Sequence, residues 1–380
     1  MNIPLPLWLS AVAGWLLIGS PGLLVAQTAD SPAAPPPGAP GTPPSIPESL
    51  ERALAEIAAA EEAIETGAGQ WQTRARTAKE LANFVLANEP LNPRAQFVLG
   101  RVLLLEGRAR EAMDYITRYT QDPREGQFDW LGFKLLGDVL AQGKYHELAE
   151  SKYLQALQLN RQEPRIFFGL ATVRANRKMY KEAADHARQG ITLQSPPRAR
   201  YHALLAQILL ETLKDATTDP QTKVKNLAEA QAEARRAVEL IRERVRENPG
   251  EVSRLGQLSN LLVLQRTVEE TRLSLYPDQA DIYLAIARIV QDQADLARLT
   301  AYHQAIAVLE RGIEQTGANA PPELLYEAAR LMYAVGRIED ARTPLMALLE
   351  KDPDHTEGRT LLDRLGEPPA ANSQESEAGL

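Results

Sequence analysis

The chain of 380 residues contains no cysteine. This absence excludes disulfide bonds, thiolate metal sites, a cysteine nucleophile and attachment of a lipid to an N-terminal cysteine. Segments in which Val, Ile or Thr alternate with polar residues, the usual sign of β-strands, are missing from residues 48–365. The sequence therefore predicts a protein without thiol chemistry and without a β-sheet.

The chain also lacks an excess of positive charge, with 42 Lys and Arg against 50 Asp and Glu and a formal net charge of -8. Most of this imbalance lies near the ends. Asp30, the segment at residues 48–65 and the tail from residue 367 hold ten acids against Arg52 as the one base. Residues 67–366 are consequently close to neutral. No basic surface that would attract nucleic acid is predicted.

Signatures of catalysis are missing too: there is no G-x-S-x-G motif, no phosphate-binding glycine loop and no E-x-x-H pair. The stretch HELAE at residues 146–150 resembles the start of a zinc-protease helix, but Glu150 stands where the second histidine would be. The other histidines are scattered singly, which favours solvated or packed side chains over metal ligands. The sequence predicts no enzyme activity, no cofactor and no metal site.

An apolar run at residues 7–26, LWLSAVAGWLLIGSPGLLVA, has the pattern of a secretory signal peptide. The helix-breaking SPG at residues 20–22 precedes a small-residue exit. We predict cleavage after Ala26 and an exported protein, periplasmic or extracellular. Because no Lys or Arg precedes the run, an uncleaved inner-membrane anchor formed by residues 5–26 is the alternative.

Two further segments are predicted to lack a packed core. Residues 27–47 are rich in proline, which removes backbone donors and favours an extended, disordered linker. Residues 366–380 have the composition of a disordered tail. Between them lies the predicted domain, residues 48–365, in which apolar residues recur at helical spacing and Ala and Leu dominate.

Small residues recur in this domain at a spacing near 34 residues. The stretches YKEAADHARQGI at residues 180–191 and YHQAIAVLERGI at residues 302–313 share a tyrosine, an alanine three positions later and a final Gly-Ile pair. The equivalent small residues along the chain are Ala78, Ala112, Ala149, Ala183, Ala230, Ala305 and Ala341. Because two helices approach closely only where one of them offers Gly or Ala, these alanines predict helix crossings in a solenoid of helical hairpins.

Other positions of each unit carry a family signature. Leu-Gly pairs stand at residues 99–100, 136–137 and 255–256, turn glycines are Gly107, Gly143 and Gly336, and the unit ending KDPD occupies residues 351–354. In these positions the chain resembles the tetratricopeptide repeat (TPR) family. The resemblance implies an all-α fold, a right-handed superhelical α-solenoid of about seven or eight helix–turn–helix repeats over residues 48–365, ending in a C-terminal capping helix.

Two segments depart from the repeat. Residues 250–277 have Gln265 where the second helix should offer a small residue, so a repeat and one long helix are both compatible with them. The unit before Ala305 carries about six extra residues, QDQADL, which we expect to lengthen its first helix and the turn that follows.

The resemblance implies a non-catalytic binding scaffold. In TPR solenoids the first helix of each unit lines a concave groove that accepts a peptide or helix of a partner protein. A structural accessory factor in envelope polymer export or outer-membrane protein assembly is an alternative, and a helical enzyme or RNA binder is a remote one. We predict a protein or peptide partner, no nucleic acid, and membrane contact only if the N-terminal segment is an uncleaved anchor.

Carrying the TPR register onto the first helices implies which side chains face this groove. They are Phe97, Arg101, Lys134, Asp138, Phe168, Thr172, His202, Ser253, Gln257, Leu284, Arg288, Tyr326 and Arg330. Tyr326 and Arg330 are four residues apart on one helix face, so with Arg288 they would offer an aromatic ring and two guanidinium groups to an acidic or C-terminal peptide segment. The lysine–asparagine clamp of TPR proteins that bind carboxyl termini is not implied, because Asp138 stands in place of the asparagine.

Export can be tested on the mature protein. We expect N-terminal sequencing of the protein recovered from cells to begin near Gln27, because signal peptides are cut after the small residues that follow the apolar run. Recovery of intact Met1 in a membrane pellet would contradict cleavage and identify residues 5–26 as an anchor.

Overall fold

The structure, a computed structural model, describes residues 45–66, 70–215, 218–248 and 252–365. The predicted signal segment, nearly all of the proline-rich linker and the predicted tail lie outside these residues. Within the described ranges the regular elements are helices and no strand occurs, which confirms the predicted all-α class.

The α-helices are numbered here in chain order. They are α1 (Ile46–Thr66), α2 (Trp71–Asn88), α3 (Pro93–Leu105), α4 (Ala109–Gln121), α5 (Trp130–Gln142), α6 (His146–Leu159), α7 (Pro164–Asn176), α8 (Tyr180–Leu193), α9 (Ala199–Lys214), α10 (Pro220–Glu247), α11 (Val252–Leu275), α12 (Ala280–Thr316), α13 (Pro322–Ala334), α14 (Ile338–Lys351) and α15 (Thr356–Leu365). Short 3₁₀ helices at Gly126–Phe128 and Gly317–Asn319 precede α5 and α13.

The chain divides into two compact units, residues 1–230 (unit 1) and residues 231–380 (unit 2). Unit 1 is a stack of helical hairpins in which α1 packs on α2, α3 on α4, α5 on α6 and α7 on α8. Each second helix also packs on the first helix of the next hairpin, ending with α8 on α9. This nearest-neighbour packing is the arrangement of an α-solenoid, as predicted.

Small residues stand where these helices cross. The alanines with 0% exposed surface include Ala78, Ala112, Ala149, Ala183, Ala230 and Ala341, and Ala305 is partly buried. A Cβ added at Gly100 would lie 2.8 Å from the Ile116 side chain, and one added at Gly137 would lie 2.8 Å from the Tyr153 ring. The second helix of each of these two hairpins therefore packs directly on its Leu-Gly pair, which confirms the predicted role of the pair in both.

The first helices of three hairpins in unit 1 begin at capped positions. The side chains of Asn92, Asp129 and Glu163 accept hydrogen bonds from backbone N–H groups in the first turns of α3, α5 and α7. Pro93 and Pro164 occupy the first positions of α3 and α7, where a missing N–H costs nothing. The caps fix where each first helix starts and so which of its side chains share a face.

The turns inside the regular hairpins place one residue in the left-handed region. This residue stands two positions before the second helix and is Gly107, Lys144, Lys178 or Gly336, with φ between 63° and 80°. Glycine adopts this conformation without strain. Gly143 lies in the predicted turn, but its φ is −71° and Lys144 takes the left-handed position instead.

Unit 2 replaces the expected hairpins with two long helices. Residues 252–275 form the single helix α11, which decides between the two alternatives for residues 250–277. The prediction of a turn before Ala305 is wrong. The helix α12 has 37 residues and continues through this position. No Gly or Pro occurs at residues 278–311, so nothing in that sequence ends a helix.

The Leu-Gly pair at residues 255–256 is consequently not a helix crossing, contrary to its assignment from the repeat. A Cβ added at Gly256 would meet no atom within 4 Å. The helix α11 packs on α12, and Leu255, Leu258 and Leu262 are among the side chains that it buries. The pair therefore matches the family pattern in sequence only.

The C-terminal part of unit 2 returns to short helices. The second half of α12 packs with α13 and α14 around a core that includes Ile306, Leu325 and Leu345. Leu361 and Leu365 of α15 cover the end of this core. None of the helices among the described residues is long and apolar enough to cross a membrane.

The buried alanines predict a strong effect of a single substitution. We expect Ala183→Arg to lower the free energy of unfolding by more than about 1–3 kcal/mol, because it both overfills a closed crossing and buries an unpaired charge. Thermal unfolding followed by circular dichroism measures the change. Ala55→Arg, at an exposed position of α1, is the matched control. Equal melting temperatures for both variants would show that Ala183 is not at a crossing.

Candidate peptide groove

A cavity in unit 1 is lined by the first helices of successive hairpins. Its walls come from α3, α5, α7 and α9, with contributions from α6 and from the end of α1. The cavity volume is about 100 Å³. Because the same helix of each hairpin faces inward, this is the position that the TPR resemblance assigns to a ligand groove.

Apolar and cationic side chains alternate along the cavity. Leu131 and Leu135 of α5 supply apolar surface beside Lys134, and Arg165 of α7 stands near Phe168. The mixture suits a ligand that presents both apolar and acidic groups, because apolar burial supplies affinity and charge pairing supplies selectivity.

A tyrosine and an aspartate hold the lysine of the cavity in place. Lys134 Nζ donates to Asp138 Oδ2 at 2.7 Å, and Tyr153 Oη donates to Asp138 Oδ1 at 2.7 Å. The Tyr153 ring occupies space left by Gly137 and Gly169, where an added Cβ would lie 2.8 Å and 2.5 Å from it. Burial, followed by the nearby Asp138 carboxylate, raises the pKa of Tyr153 well above its usual value. The Tyr153 hydroxyl is therefore held as a proton donor.

Aromatic rings brace two arginines of the cavity. The Arg165 guanidinium lies 5.1 Å from the centre of the Trp130 ring, and its Nε donates to Glu163 at 2.7 Å. The Arg200 guanidinium lies 4.5 Å from the Tyr201 ring centre. Such contacts restrict the guanidinium groups without removing their charge. Both arginines are thus presented to the cavity from ordered positions.

The structure brings together five of the side chains that the TPR register placed on the groove in unit 1. The cavity is lined by Arg101, Lys134, Asp138, Phe168 and Thr172. Phe168 also stacks on Tyr201, with ring centres 3.4 Å apart.

Two other predicted positions of unit 1 do not line the cavity. Phe97 is buried against Tyr119, with parallel rings whose centres are 4.0 Å apart, so its ring contributes to packing between hairpins. His202 is buried in α9. Both side chains lie within the packed interior of the unit.

The six remaining predicted residues belong to unit 2. On α11 Ser253 is exposed and Gln257 is half-buried, and Leu284 is exposed on α12. Arg288 is exposed on α12. Tyr326 lies beside His355, with ring centres 5.1 Å apart, so the residues just before α15 cover part of its ring. Arg330 Nη2 donates to Glu327 at 2.6 Å on the same helix and is exposed.

Several residues of the cavity were not predicted from the sequence. Leu131 and Arg165 stand three positions before the predicted Lys134 and Phe168, and so lie on the same helix face one turn earlier. Helical spacing alone would have found them. Glu61 and Ile64 of α1 could not be found in this way, because their place depends on how far α1 extends past its own hairpin.

The HELAE stretch has a structural role. It begins α6, where Ala149 is fully buried and Glu150 pairs with Arg174 at 2.9 Å and with Arg177. Burial and the nearby cations lower the pKa of His146. Among the described residues, no group of three or more His, Cys, Asp or Glu side chains is placed to hold a metal ion.

The hydrogen bond between Tyr153 and Asp138 predicts a dependence of stability on alkaline pH. The unfolded chain ionises this tyrosine near its ordinary pKa of 10.0, whereas the folded chain retains the proton. Stability is therefore lost as the pH rises above about 10.

We expect Tyr153→Phe to cost about 0.5–1.5 kcal/mol at pH 8 and to make the melting temperature fall less between pH 9 and pH 11. Tyr145→Phe, at an exposed tyrosine, is the control, and parallel pH profiles for both variants would refute the linkage.

Comparison with known proteins identifies the repeat. Residues 296–365 match a family model described as tetratricopeptide repeat. No curated protein sequence matches the chain.

The solved structures that the chain matches include TPR proteins. A thermophilic TPR protein of Thermus thermophilus is 16% identical, with 58% of this chain and 100% of that chain covered and a TM-score of 0.41. PilF of Pseudomonas aeruginosa is 15% identical, with 64% and 99% covered and a TM-score of 0.38. YrrB, a TPR protein described as having an unusual peptide-binding site, is 18% identical, with 64% and 96% covered and a TM-score of 0.29. The family match confirms the resemblance at residues 296–365, which carry a tetratricopeptide repeat.

Proposed function

We propose that this protein is a non-catalytic protein–protein interaction scaffold that binds a peptide or helix of a partner in the groove of unit 1, within the cell envelope. The observation that carries the proposal is the cavity itself. It is a concave site built by one face of four successive first helices, α3, α5, α7 and α9. Extended concave surfaces of this kind are what solenoid proteins offer to a ligand chain.

The composition of the groove supports a protein ligand. Phe168 and Tyr201 offer aromatic surface, and Arg101, Lys134 and Arg165 offer cationic groups. Aromatic and arginine side chains contribute most of the binding energy in many protein interfaces. The proposed envelope location rests on the apolar N-terminal run. N-terminal sequencing, which tests whether this run is removed, also tests the location.

The first experiment uses the protein without residues 1–26 as bait for envelope extracts and identifies the captured partner by mass spectrometry. We expect Lys134→Ala/Arg165→Ala to weaken binding of the purified partner at least tenfold, because two cations of the groove are removed together. Titration calorimetry measures the affinity. The control is Arg236→Ala/Arg266→Ala, whose guanidinium groups form exposed ion pairs within α10 and α11.

The outcome separates the groove from the rest of the surface. Loss of affinity in the groove variant alone, at unchanged melting temperature, supports the proposal. Equal affinities for the wild type and the groove variant would refute it. In the same assay Tyr326→Ala/Arg330→Ala tests the positions predicted in unit 2, and an affinity within twofold of wild type would remove them from the binding surface.

A further inference from the structure

The helix α1 is longer than the other first helices of regular hairpins. It has 21 residues, whereas α3, α5, α7 and α13 have 13 each. At 1.5 Å per residue, the eight additional residues extend it by about 12 Å. The extension carries two adjacent carboxylates, of which Glu61 lines the cavity of unit 1 and Glu62 is exposed beside it.

Glu61 forms a two-pronged ion pair with an arginine of the groove. Arg101 Nε donates to Glu61 Oε1 at 2.8 Å, and Arg101 Nη2 donates to Oε2 at 2.7 Å. The Arg101 side chain is 5% exposed and that of Glu61 is 18% exposed. Parallel donation from a guanidinium to a carboxylate is the strong geometry for this pair, and water is largely excluded from it.

Glu62 reaches the opposite end of unit 1. Arg198 Nη2 donates to both carboxylate oxygens of Glu62 at 2.9 Å. The two residues are 136 positions apart in sequence, and Arg198 directly precedes α9. One turn of α1 is therefore ion-paired both with α3 and with the residue that precedes α9.

The end of α1 is held by two ion pairs in addition to the apolar core that holds its body. Ala53, Ile57 and Ala60 are fully buried in the core shared with α2 and α3. Beyond residue 60, Ala63 is buried and Ile64 packs against the same core, while the carboxylates of Glu61 and Glu62 form the two ion pairs. Salt screens the exposed Glu62 pair and screens the buried Glu61 pair much less, but a competing carboxylate can replace either glutamate on its arginine. The two carboxylate side chains can therefore turn away from their arginines while α1 stays packed on α2.

The volume of the cavity also indicates that part of its wall moves when a peptide binds. Sites that enclose a small ligand usually have volumes of about 300–1,000 Å³. The cavity has about 100 Å³, with Glu61 and Ile64 among the residues of its wall. A peptide of several residues enters only if this wall moves.

We propose that the end of α1 is a built-in acidic ligand of the groove, and that the partner carries an acidic segment that displaces Glu61 and Glu62 from Arg101 and Arg198. This inference rests on the proposed function and adds to it the chemistry of the partner and a control of access. The partner segment places carboxylates on the same two guanidinium groups. Because the internal segment is tethered, it competes at a high effective concentration, and only a segment with several carboxylates replaces it.

The test measures binding of a fluorescein-labelled octapeptide of glutamate by fluorescence anisotropy at low ionic strength, where ion pairs are least screened. The variant Glu61→Lys/Glu62→Lys repels the end of α1 from both arginines. If that end is docked about nine-tenths of the time in the wild type, its release strengthens binding about tenfold. The control Glu51→Lys/Glu56→Lys adds the same charge to α1 near its start, so it measures the non-specific attraction.

Two further variants make the outcome specific. Glu61→Gln/Glu62→Gln removes the charges without repulsion, and we expect a smaller gain in the same direction should the lysine variant fail to fold. Arg101→Gln/Arg198→Gln, added to the lysine variant, should abolish the gain. Equal affinity of the wild type and both Glu61/Glu62 variants for the octapeptide would overturn the proposal.

The same measurements keep this inference separate from the proposed function. If Lys134→Ala/Arg165→Ala still weakens the partner captured from extracts while the octapeptide result is negative, the groove binds a partner and the internal acidic ligand is refuted. If the octapeptide result is positive while that groove variant binds its partner normally, the acid-binding site stands and the proposed scaffold surface is refuted.

Discussion

Close approach between neighbouring helices is the constraint on which the rest of the structure depends. The fully buried alanines at one position of successive hairpins, and glycines such as Gly137, leave room for a neighbouring helix or ring. At Tyr153 this constraint also determines the arrangement of side chains in the groove. Its ring fills the space beside Gly137 and Gly169, and its hydroxyl holds the Asp138 carboxylate that orients Lys134. Packing between hairpins therefore determines where a charge of the groove stands.

Much of the fold could be predicted because small residues recur wherever helices cross, and the spacing of the alanines shows the period directly. The prediction failed where the family register was continued into residues 278–311. That segment has an alanine in register at Ala305, yet no residue that ends a helix. The hairpin turns have a residue in the left-handed region, as at Gly107 and Gly336, and residues 278–311 contain no Gly, Pro or Asn that would favour the end of a helix.

The groove was predictable only in part. Arg101, Lys134 and Phe168 share a cavity because equivalent positions of successive first helices face the same side. Phe97 occupies an equivalent position, but the ring of Tyr119 lies against it and draws it into the packing. The repeat register predicts which way a side chain faces. It does not predict which neighbouring side chain fills the space beside it. The contact of Glu62 with Arg198 has no signal in sequence, because it joins residues 136 positions apart and depends on the stacking of every hairpin between them.

The uninterrupted α12 has a mechanical consequence. A stack of short hairpins behaves as a spring, because small changes of angle between neighbouring hairpins add up along it. A helix of 37 residues, about 55 Å long, has no such joint, and its hydrogen bonds run along its axis. Under tension the first part of unit 2 therefore resists extension, and the shorter helices that follow α12 supply most of the elastic extension of that unit.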